Sequence, residues 1–155
     1  MHPYIRHVQP HDGPAVHAML ISPHVVRGTM RLPYESLADT ARRIEPSSGV
    51  IKLVASFEET VAGYSELITY PHIPRHRHAA ELNMLVVHVD WQGKGVGRAL
   101  MRAILDLADN WLQLNRVSLV VWCSNRGAIK LYKTCGFLIE ENAAVSASRA
   151  LQSTG

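Results

Sequence analysis

The sequence predicts an α/β fold in which strands and helices alternate around one sheet. Residues 82–89 form a short apolar run rich in Val and Leu, which is typical of a buried strand. A turn with three glycines follows at residues 92–97. Apolar residues then recur every three or four positions between Leu100 and Ala108, as they do on the buried face of a helix. This strand, turn and helix form the centre of the predicted domain.

The N-terminal part of the chain continues the alternation. Residues 4–8 predict a first strand, and Asp12 is a suitable cap for a helix that ends near residue 20. Residues 24–33 lack a regular pattern, whereas the amphipathic segment 34–44 predicts a second helix. One strand and two helices are therefore expected before the first hairpin.

The middle and the end of the chain predict four more strands. Two of them flank a short polar turn, as the strands of a hairpin do. Asn125 begins a helix, and Gly136 is suited to end it as a glycine C-cap. The predicted strands are 50–57, 61–70, 117–122 and 137–140.

Length and composition limit the classes of function. A chain of 155 residues is long enough for one domain with a substantial core. It has no apolar run near ~18 residues and no N-terminal signal pattern, so we expect a cytoplasmic protein without a membrane span. The net charge is +3, but Lys and Arg are scattered rather than clustered. That distribution argues against nucleic-acid binding and suits an anionic cofactor.

Two features raise the question of a metal site. Cys123 and Cys135 lack metal-ligand spacing and are expected to stay reduced. Residues 71–78 are rich in histidine and arginine, but their spacing is loose for metal ligands. We favour a solvated basic loop, which could border the substrate entrance, and we expect no metal. The residues concerned are His72, Arg75, His76, Arg77 and His78.

The glycine-rich turn predicts an anion-binding site. Free backbone N–H groups and the positive end of the helix dipole favour phosphate at a helix start. Gly93, Gly95 and Gly97 allow the backbone to approach a ligand closely. The Walker pattern fails because no Ser or Thr follows Lys94, and the dinucleotide fingerprint fails because these glycines are one residue too close together. A tight turn without a ligand is the alternative.

The pattern that fits the turn is Q/R-x-x-G-x-G/A, which Gln92, Gly95 and Gly97 satisfy. With this motif the sequence resembles the GNAT superfamily of N-acetyltransferases. A second block, residues 125–137, is similar to the family's N-x-x-A-x-x-x-Y-x-x-x-G-F block. The strand before the turn also resembles the family's strand, with Val89 where a proline is usual.

The likeness covers residues 4–140 and is closest to bacterial enzymes that acylate free amino acids. It implies a mixed, mostly antiparallel sheet flanked by helices, whose central parallel strands splay apart to bind acyl-CoA. It divides the chain into a domain of residues 1–141 and an atypical tail of residues 142–155. The family has a further strand in this place, but NAAVSASRALQSTG shows no strand pattern. We therefore predict that the tail adds no strand, and that a partner or solvent covers the sheet edge.

The resemblance also implies the roles of individual residues, with acetyl-CoA as the co-substrate. Tyr132 resembles the family's general acid, which protonates the departing thiolate, although the ring could simply pack. Glu81 matches a position where some members place a base that acts through water, and an ordinary strand-end carboxylate is equally compatible. Asn125 matches a contact to the cofactor's arm and is also a suitable N-cap. The implied cofactor-binding residues are Val86, Val87, Val89, Gln92, Gly93, Lys94, Gly95, Val96, Gly97, Arg98, Asn125 and Tyr132.

The sequence thus predicts acetyl-CoA-dependent N-acetylation of a primary amine on a small molecule, with an amino acid favoured by the resemblance. A polyamine or a protein N-terminus is the alternative acceptor. A module that binds acyl-CoA without turnover is an alternative from another class, and the presence of Tyr132 favours an enzyme over it. A homodimer is one possible assembly.

Overall fold

The computed structural model describes residues 2–28, 34–122, 125–140 and 144–150. One seven-stranded sheet, in the order β1-β2-β3-β4-β5-β7-β6, carries helices on both faces. The strands are β1 (Tyr4–His7), β2 (Val50–Phe57), β3 (Thr60–Thr69), β4 (Ala79–Val87), β5 (Arg116–Trp122), β6 (Leu138–Glu140) and β7 (Ala144–Ala150). The helices are α1 (Gly13–Leu20), α2 (Pro23–Gly28), α3 (Leu37–Ile44), α4 (Val96–Asp106) and α5 (Arg126–Thr134).

The central feature of the sheet is its one parallel pair, β4 and β5. These strands pair only at Ala79–Arg116, Ala80–Val117 and Glu81–Ser118. Beyond Glu81, β4 continues beside β3 alone, and β5 continues beside β7 alone. The two strands therefore separate after their third residue pair and leave a gap in the sheet. This confirms the predicted fold class, including the splayed parallel strands.

The larger part of the core lies between the sheet and the helices α4 and α5. Leu100 and Ile104 on one face of α4 cluster with Tyr132 of α5 and with Val117 and Leu119 of β5. All five are nearly inaccessible to solvent. Burial of this apolar stripe explains why the 3.6-residue period in the sequence indicated the helix correctly.

The opposite face of the sheet carries α1, α2 and α3. Val16, Val25 and Ile44 from these helices cluster with Tyr64 of β3 and Met84 of β4. The helix α3 begins with a capping box, in which Ser36 accepts from the amide of Asp39 and Asp39 accepts from the amide of Ser36. These helices cover the β1 to β4 half of the sheet.

Two predictions in the N-terminal part need correction. Residues 24–33 were expected to be irregular, but α2 occupies Pro23–Gly28, with proline at its start. Asp12 stands before α1 but does not cap it through its side chain. Its carboxylate instead accepts two hydrogen bonds of 2.8 Å from Arg6 and one of 2.7 Å from the amide of Gln9. The Asp12 carboxylate therefore pairs with Arg6 of β1 instead of capping the start of α1.

The prediction that residues 142–155 add no strand is wrong. Strand β7 lies between β5 and β6, pairing antiparallel with β5 over seven residue pairs and with β6 over three. The segment lacks alternating apolar residues, so its sequence shows no strand period. Residues 144–150 contain neither Pro nor Gly, so every amide in the strand can join the ladders on its two sides. Backbone pairing from both neighbours decides its conformation.

Candidate active site

The glycine-rich turn leads from β4 into the first turn of α4. Gly95 is the N-cap of α4 and has φ +83°, while Gly93 has φ +73°, so both adopt the left-handed conformation that glycine favours. The first hydrogen bond of the helix runs from the amide of Ala99 to the carbonyl of Gly95, at 3.0 Å. The amides of residues 96–98 therefore lack partners within the helix and point out of its positive end.

The turn is held on the sheet by an aromatic contact. Trp91 stacks on Phe57 with ring centroids 4.6 Å apart, and the ammonium of Lys94 lies 5.2 Å from the Trp91 ring centroid. Gln92 and Arg98 are exposed beside them. Basic and amide side chains thus surround the free end of α4, as the phosphate prediction requires.

The two sequence blocks meet at Gly97. A Cβ atom on this residue would lie 3.2 Å from Leu131 of α5 and 3.7 Å from Val87 of β4. The first turn of α4 therefore packs tightly between β4 and α5. The glycine turn, where the sequence predicts an anion site, therefore lies at the open end of the gap between β4 and β5.

Residues along β4 present their backbone groups alternately to β3 and to the gap. The amide of His88 donates to the carbonyl of Ala62 on β3, at 2.8 Å. By the two-residue period, the amide of Val86 also faces β3, and the amide and carbonyl of Val87 face away from it. His24 of α2 confirms this orientation, since its Nε2 lies 3.0 Å from the carbonyl oxygen of Val87. Of the two predicted strand residues, only Val87 thus presents its amide to the gap. The side chain of Val89 is exposed in the turn that follows.

Glu81 lies where the gap closes. It belongs to the last residue pair of β4 with β5, and its side chain is exposed on the face opposite α4 and α5. Burial and the neighbouring Glu81 carboxylate raise the pKa of the Tyr70 phenol above its ordinary value. A cavity of about 230 Å³ adjoins Glu81 at this point.

Tyr132 lies on the other face of the sheet, in the core that α4 and α5 form with β5. It is 7% exposed, and burial, with a smaller contribution from Cys135, raises the pKa of its phenol to about 12. Its ring lies 5.8 Å from that of Phe137, and its carbonyl accepts a 3.0 Å hydrogen bond from the Phe137 amide. Gly136, with φ +90°, completes this helix end as predicted. The phenol is protonated at neutral pH, as a general acid must be.

Asn125 is the N-cap of α5, and its Oδ1 accepts a 3.3 Å hydrogen bond from the amide of Ala128. The structural role proposed for this residue is therefore present, and the cofactor contact stays a prediction. Cys123, which is expected to stay reduced, lies outside the described residues.

A second polar cluster lies away from the gap, between α3 and the strands β2 and β3. Glu66 is 3% exposed and accepts hydrogen bonds from Tyr64 (2.6 Å), Asn83 (2.9 Å) and Arg43 (3.2 Å). A cavity of about 450 Å³ adjoins the cluster. Because Glu66 already has three donors, we interpret the cluster as a structural network that attaches α3 to the sheet.

Sequence reasoning did not single out several residues at the gap. His24, Tyr70, Arg116 and Ser118 reach it only through strand pairing or helix packing. The position of Arg116 follows from the β4–β5 register, which the periodicity of apolar residues along the sequence does not reveal. A weak signal existed for Tyr70, which directly precedes the basic loop at residues 71–78.

Within the described ranges, no group of three or more His, Cys, Asp or Glu residues could hold a metal ion. None of the helices in those ranges has the length and apolarity needed to cross a membrane.

Comparison with known proteins gives the family. The sequence profile of the acetyltransferase (GNAT) family matches residues 15–137. The chain is 35% identical over 136 residues to the L-amino acid N-acetyltransferase AaaT of Escherichia coli K12, a match that covers 88% of this chain and 83% of that protein. It is 30% identical over 112 residues to the spermidine N(1)-acetyltransferase of Vibrio cholerae, covering 70% and 62% of the two chains.

Solved structures agree on the fold. The spermidine N-acetyltransferase from Vibrio cholerae, in complex with CoA and spermine, superposes with a TM-score of 0.83 at 21% identity, covering 98% of this chain and 97% of that one. The chain belongs to the acetyltransferase (GNAT) family. The family and the enzyme class that the sequence predicted, an acetyltransferase, are thereby confirmed.

Proposed function

We propose that the protein transfers the acetyl group of acetyl-CoA to the primary amine of a small molecule, with an amino acid as the favoured acceptor. The gap between β4 and β5 carries this proposal. It is open at the glycine turn and closed at Glu81, so an extended arm that enters beside the free end of α4 would finish at Glu81. A cytoplasmic location and a homodimer belong to the same proposal.

The chain's own groups fit acetyl-CoA along this path. The free amides of residues 96–98, with Lys94 and Arg98 beside them, suit the pyrophosphate. Within the part of the chain that the structure describes, the edge of β4 beyond Glu81 has no strand partner on the β5 side, so it can pair with an amide-containing arm. The bound thioester supplies an activated acetyl group.

The proton transfers are divided between the two faces of the sheet. Glu81, on the open face, accepts the proton of the acceptor's ammonium through water. The amide of Val87, which faces the gap near its open end, is placed to donate to a carbonyl oxygen of the entering arm. Tyr132, on the α5 face, protonates the departing sulfur. The base Glu81 and the acid Tyr132 thus lie on opposite faces of the sheet, so they do not exchange a proton directly.

A polyamine is the second candidate acceptor. It is supported by the 30% identity to the spermidine N(1)-acetyltransferase of Vibrio cholerae. The amino acid is supported by the greater identity, 35%, to the L-amino acid enzyme of Escherichia coli. The structure supports an acceptor site at the closed end of the gap in either case.

A thiol-release assay with acetyl-CoA tests the proposal directly. The acceptors to be compared are L-amino acids, spermidine and peptides with free N-termini. We expect release of free CoA that depends on an amino acid, with the acetylated product identified by mass spectrometry. Tight binding of acetyl-CoA without turnover of any acceptor would instead favour a binding module.

Substituting Gly95 with valine should weaken acetyl-CoA binding tenfold or more, roughly 1.4 kcal/mol. A Cβ at this position would meet no atom within 4 Å, but φ of +83° is strained for a β-branched residue. The turn must therefore change its conformation, which misdirects the amides of residues 96–98. Titration calorimetry measures the affinity.

Gly95→Asn is the matched variant, because asparagine tolerates the left-handed conformation far better than valine does. It should retain more of the affinity than Gly95→Val. Unchanged affinity in a folded Gly95→Val protein would remove the turn from the binding site.

Substituting Glu81 with glutamine should lower kcat/KM for the amine about 10²-fold, the lower end of the usual contribution of a positioned base. The amide keeps the size of the side chain but cannot accept the proton. Steady-state thiol release measures the change, and Glu45→Gln, at an exposed carboxylate after α3, is the control. If both variants retain the parent rate, the base is another group.

A further inference from the structure

The cavity beside Glu81 carries an excess of cationic side chains. Its floor is formed by small residues, Ala79, Ala80 and Ser118, at the paired ends of β4 and β5. Titratable groups surround that floor from three segments, namely the loop that follows β3, the strand β4 and the strand β5. They are Tyr70, Arg75, His76, His78, Glu81 and Arg116.

The two arginines at this cavity have no carboxylate partner among the described residues. Neither Arg75 nor Arg116 lies within 4.0 Å of an Asp or Glu side chain in that part of the chain. Both are exposed at the rim, and among the described residues that line the cavity Glu81 is the one acidic group. Two guanidinium groups, which stay charged at any working pH, therefore face a single carboxylate.

The loop that carries Arg75 is held in place by backbone hydrogen bonds. The amide of His76 donates to Ile73 at 2.8 Å, and the amide of Ala79 donates to His76 at 2.9 Å. The amide of Asn115 donates to the carbonyl of His78 at 2.7 Å, which ties the loop to the residue preceding β5. The Tyr70 and His76 rings also meet edge-on, 5.1 Å apart. Arg75 and Arg116 are thereby kept on the same side of the cavity floor.

We propose that this cavity binds the α-carboxylate of the acceptor through Arg75 and Arg116, while Glu81 faces the acceptor's α-amine. This rests on the proposed acetyl transfer and specifies the class of acceptor. Guanidinium groups match a carboxylate in a two-pronged geometry that an ammonium cannot offer. In an α-amino acid one carbon separates the amine from the carboxylate, so both groups fit a single small cavity.

The size of the cavity fits this assignment. Its volume of about 230 Å³ is below the ~300–1,000 Å³ that is typical of sites for drug-sized ligands. A polyamine presents only positive charge, which the two arginines repel. The site therefore selects amino acids and rejects spermidine through charge.

The experiment compares acceptors that differ only in the carboxylate. L-leucine, L-phenylalanine and L-lysine are each assayed beside their carboxamides, with spermidine as a further acceptor. We expect kcat/KM for at least one amino acid to exceed that of its carboxamide about 10- to 100-fold. In Arg116→Gln and Arg75→Gln this ratio of kcat/KM values should fall tenfold or more, mainly because KM for the amino acid rises. The kcat/KM for the carboxamide should change less than about threefold.

Arg77→Gln is the matched control, because it removes the same charge from the same loop without lining the cavity. It should leave the preference unchanged. Calorimetric titration of the amino acid in the presence of CoA gives a second readout that needs no turnover. There the two cavity variants should lose affinity and Arg77→Gln should not.

Three outcomes would overturn the assignment. They are equal turnover of an amino acid and its carboxamide by the parent, equal losses in Arg77→Gln and Arg116→Gln, and turnover of spermidine or carboxamides but of no amino acid. In the third case acetyl transfer to an amine stands and only the carboxylate site fails. If no amine is acetylated at all, the proposed function fails as well.

Discussion

Replacing Tyr132 with phenylalanine should lower the turnover rate about 10²- to 10⁴-fold, which is the usual contribution of a positioned general acid. The change removes one hydroxyl and leaves the ring in its contact with Phe137. The fold and the affinity for acetyl-CoA should therefore change little. Stopped-flow or steady-state thiol release measures the rate, and calorimetry measures the affinity.

The matched control is Tyr4→Phe, which removes the same hydroxyl from a side chain that is 68% exposed on β1. It should turn over at the parent rate. If Tyr132→Phe does so too, with a confirmed acceptor, the departing sulfur receives its proton from water or another group. Tyr132 would then be a packing residue.

The raised pKa of Tyr132 also predicts how the contribution of its hydroxyl to the rate depends on pH. Burial raises it to about 12, and the protonated phenol is the active form. Raising the pH from 7 to 10 should therefore not deprotonate it. The ratio of the parent rate to the Tyr132→Phe rate should stay constant over that range and decline only as the pH approaches the raised pKa. A ratio that falls near pH 8 would indicate a different acid.

Substituting Ser148 with proline should destabilise the fold by about 1–3 kcal/mol, the usual cost of leaving a hydrogen-bond partner unmatched, out of the ~5–15 kcal/mol typical of a domain. Ser148 pairs with Ser118 on β5 and with Leu138 on β6, so its amide donates to one neighbour or the other. Proline removes that donor from the middle of a sheet and introduces a steric clash. Urea unfolding, followed by circular dichroism, measures the loss.

Ser148→Ala separates the backbone from the side chain, because alanine keeps the amide. It should unfold within about 0.5 kcal/mol of the parent. Equal midpoints for Ser148→Pro and Ser148→Ala would contradict the central position of β7. Ser148 pairs with Ser118, which lines the cavity, so Ser148→Pro should also lower the activity of the protein that remains folded.

The glycine turn shows what could be predicted from local sequence. Left-handed φ at Gly93 and Gly95, and the free amides that follow, depend on residues within one stretch of chain. The helix α4 was predicted for a similar reason, since its apolar face has a period that is visible without any partner, and α5 was predicted from the residues at its two ends. Resemblance to the family then supplied the splayed strands, and the residue pairs of β4 and β5 confirm them.

The acceptor end of the site could not be predicted in this way. Tyr70, Arg75 and Arg116 come from two separate parts of the chain, and the β4–β5 register brings them together. Register depends on pairing between strands that are distant in sequence, so no local period encodes it. The sequence indicated a basic loop near the substrate entrance, and its neighbours became visible only in the folded sheet.

The sequence by itself determined the family motif, the glycine turn and the amphipathic helices, because each depends on residues that are neighbours along the chain. The tertiary structure alone decided that residues 144–150 form a strand, since their conformation comes from hydrogen bonds to β5 and β6. It also decided which amides of β4 face the gap and which cations surround Glu81. Those features arise from contacts between distant segments, whose geometry is set when the whole sheet assembles.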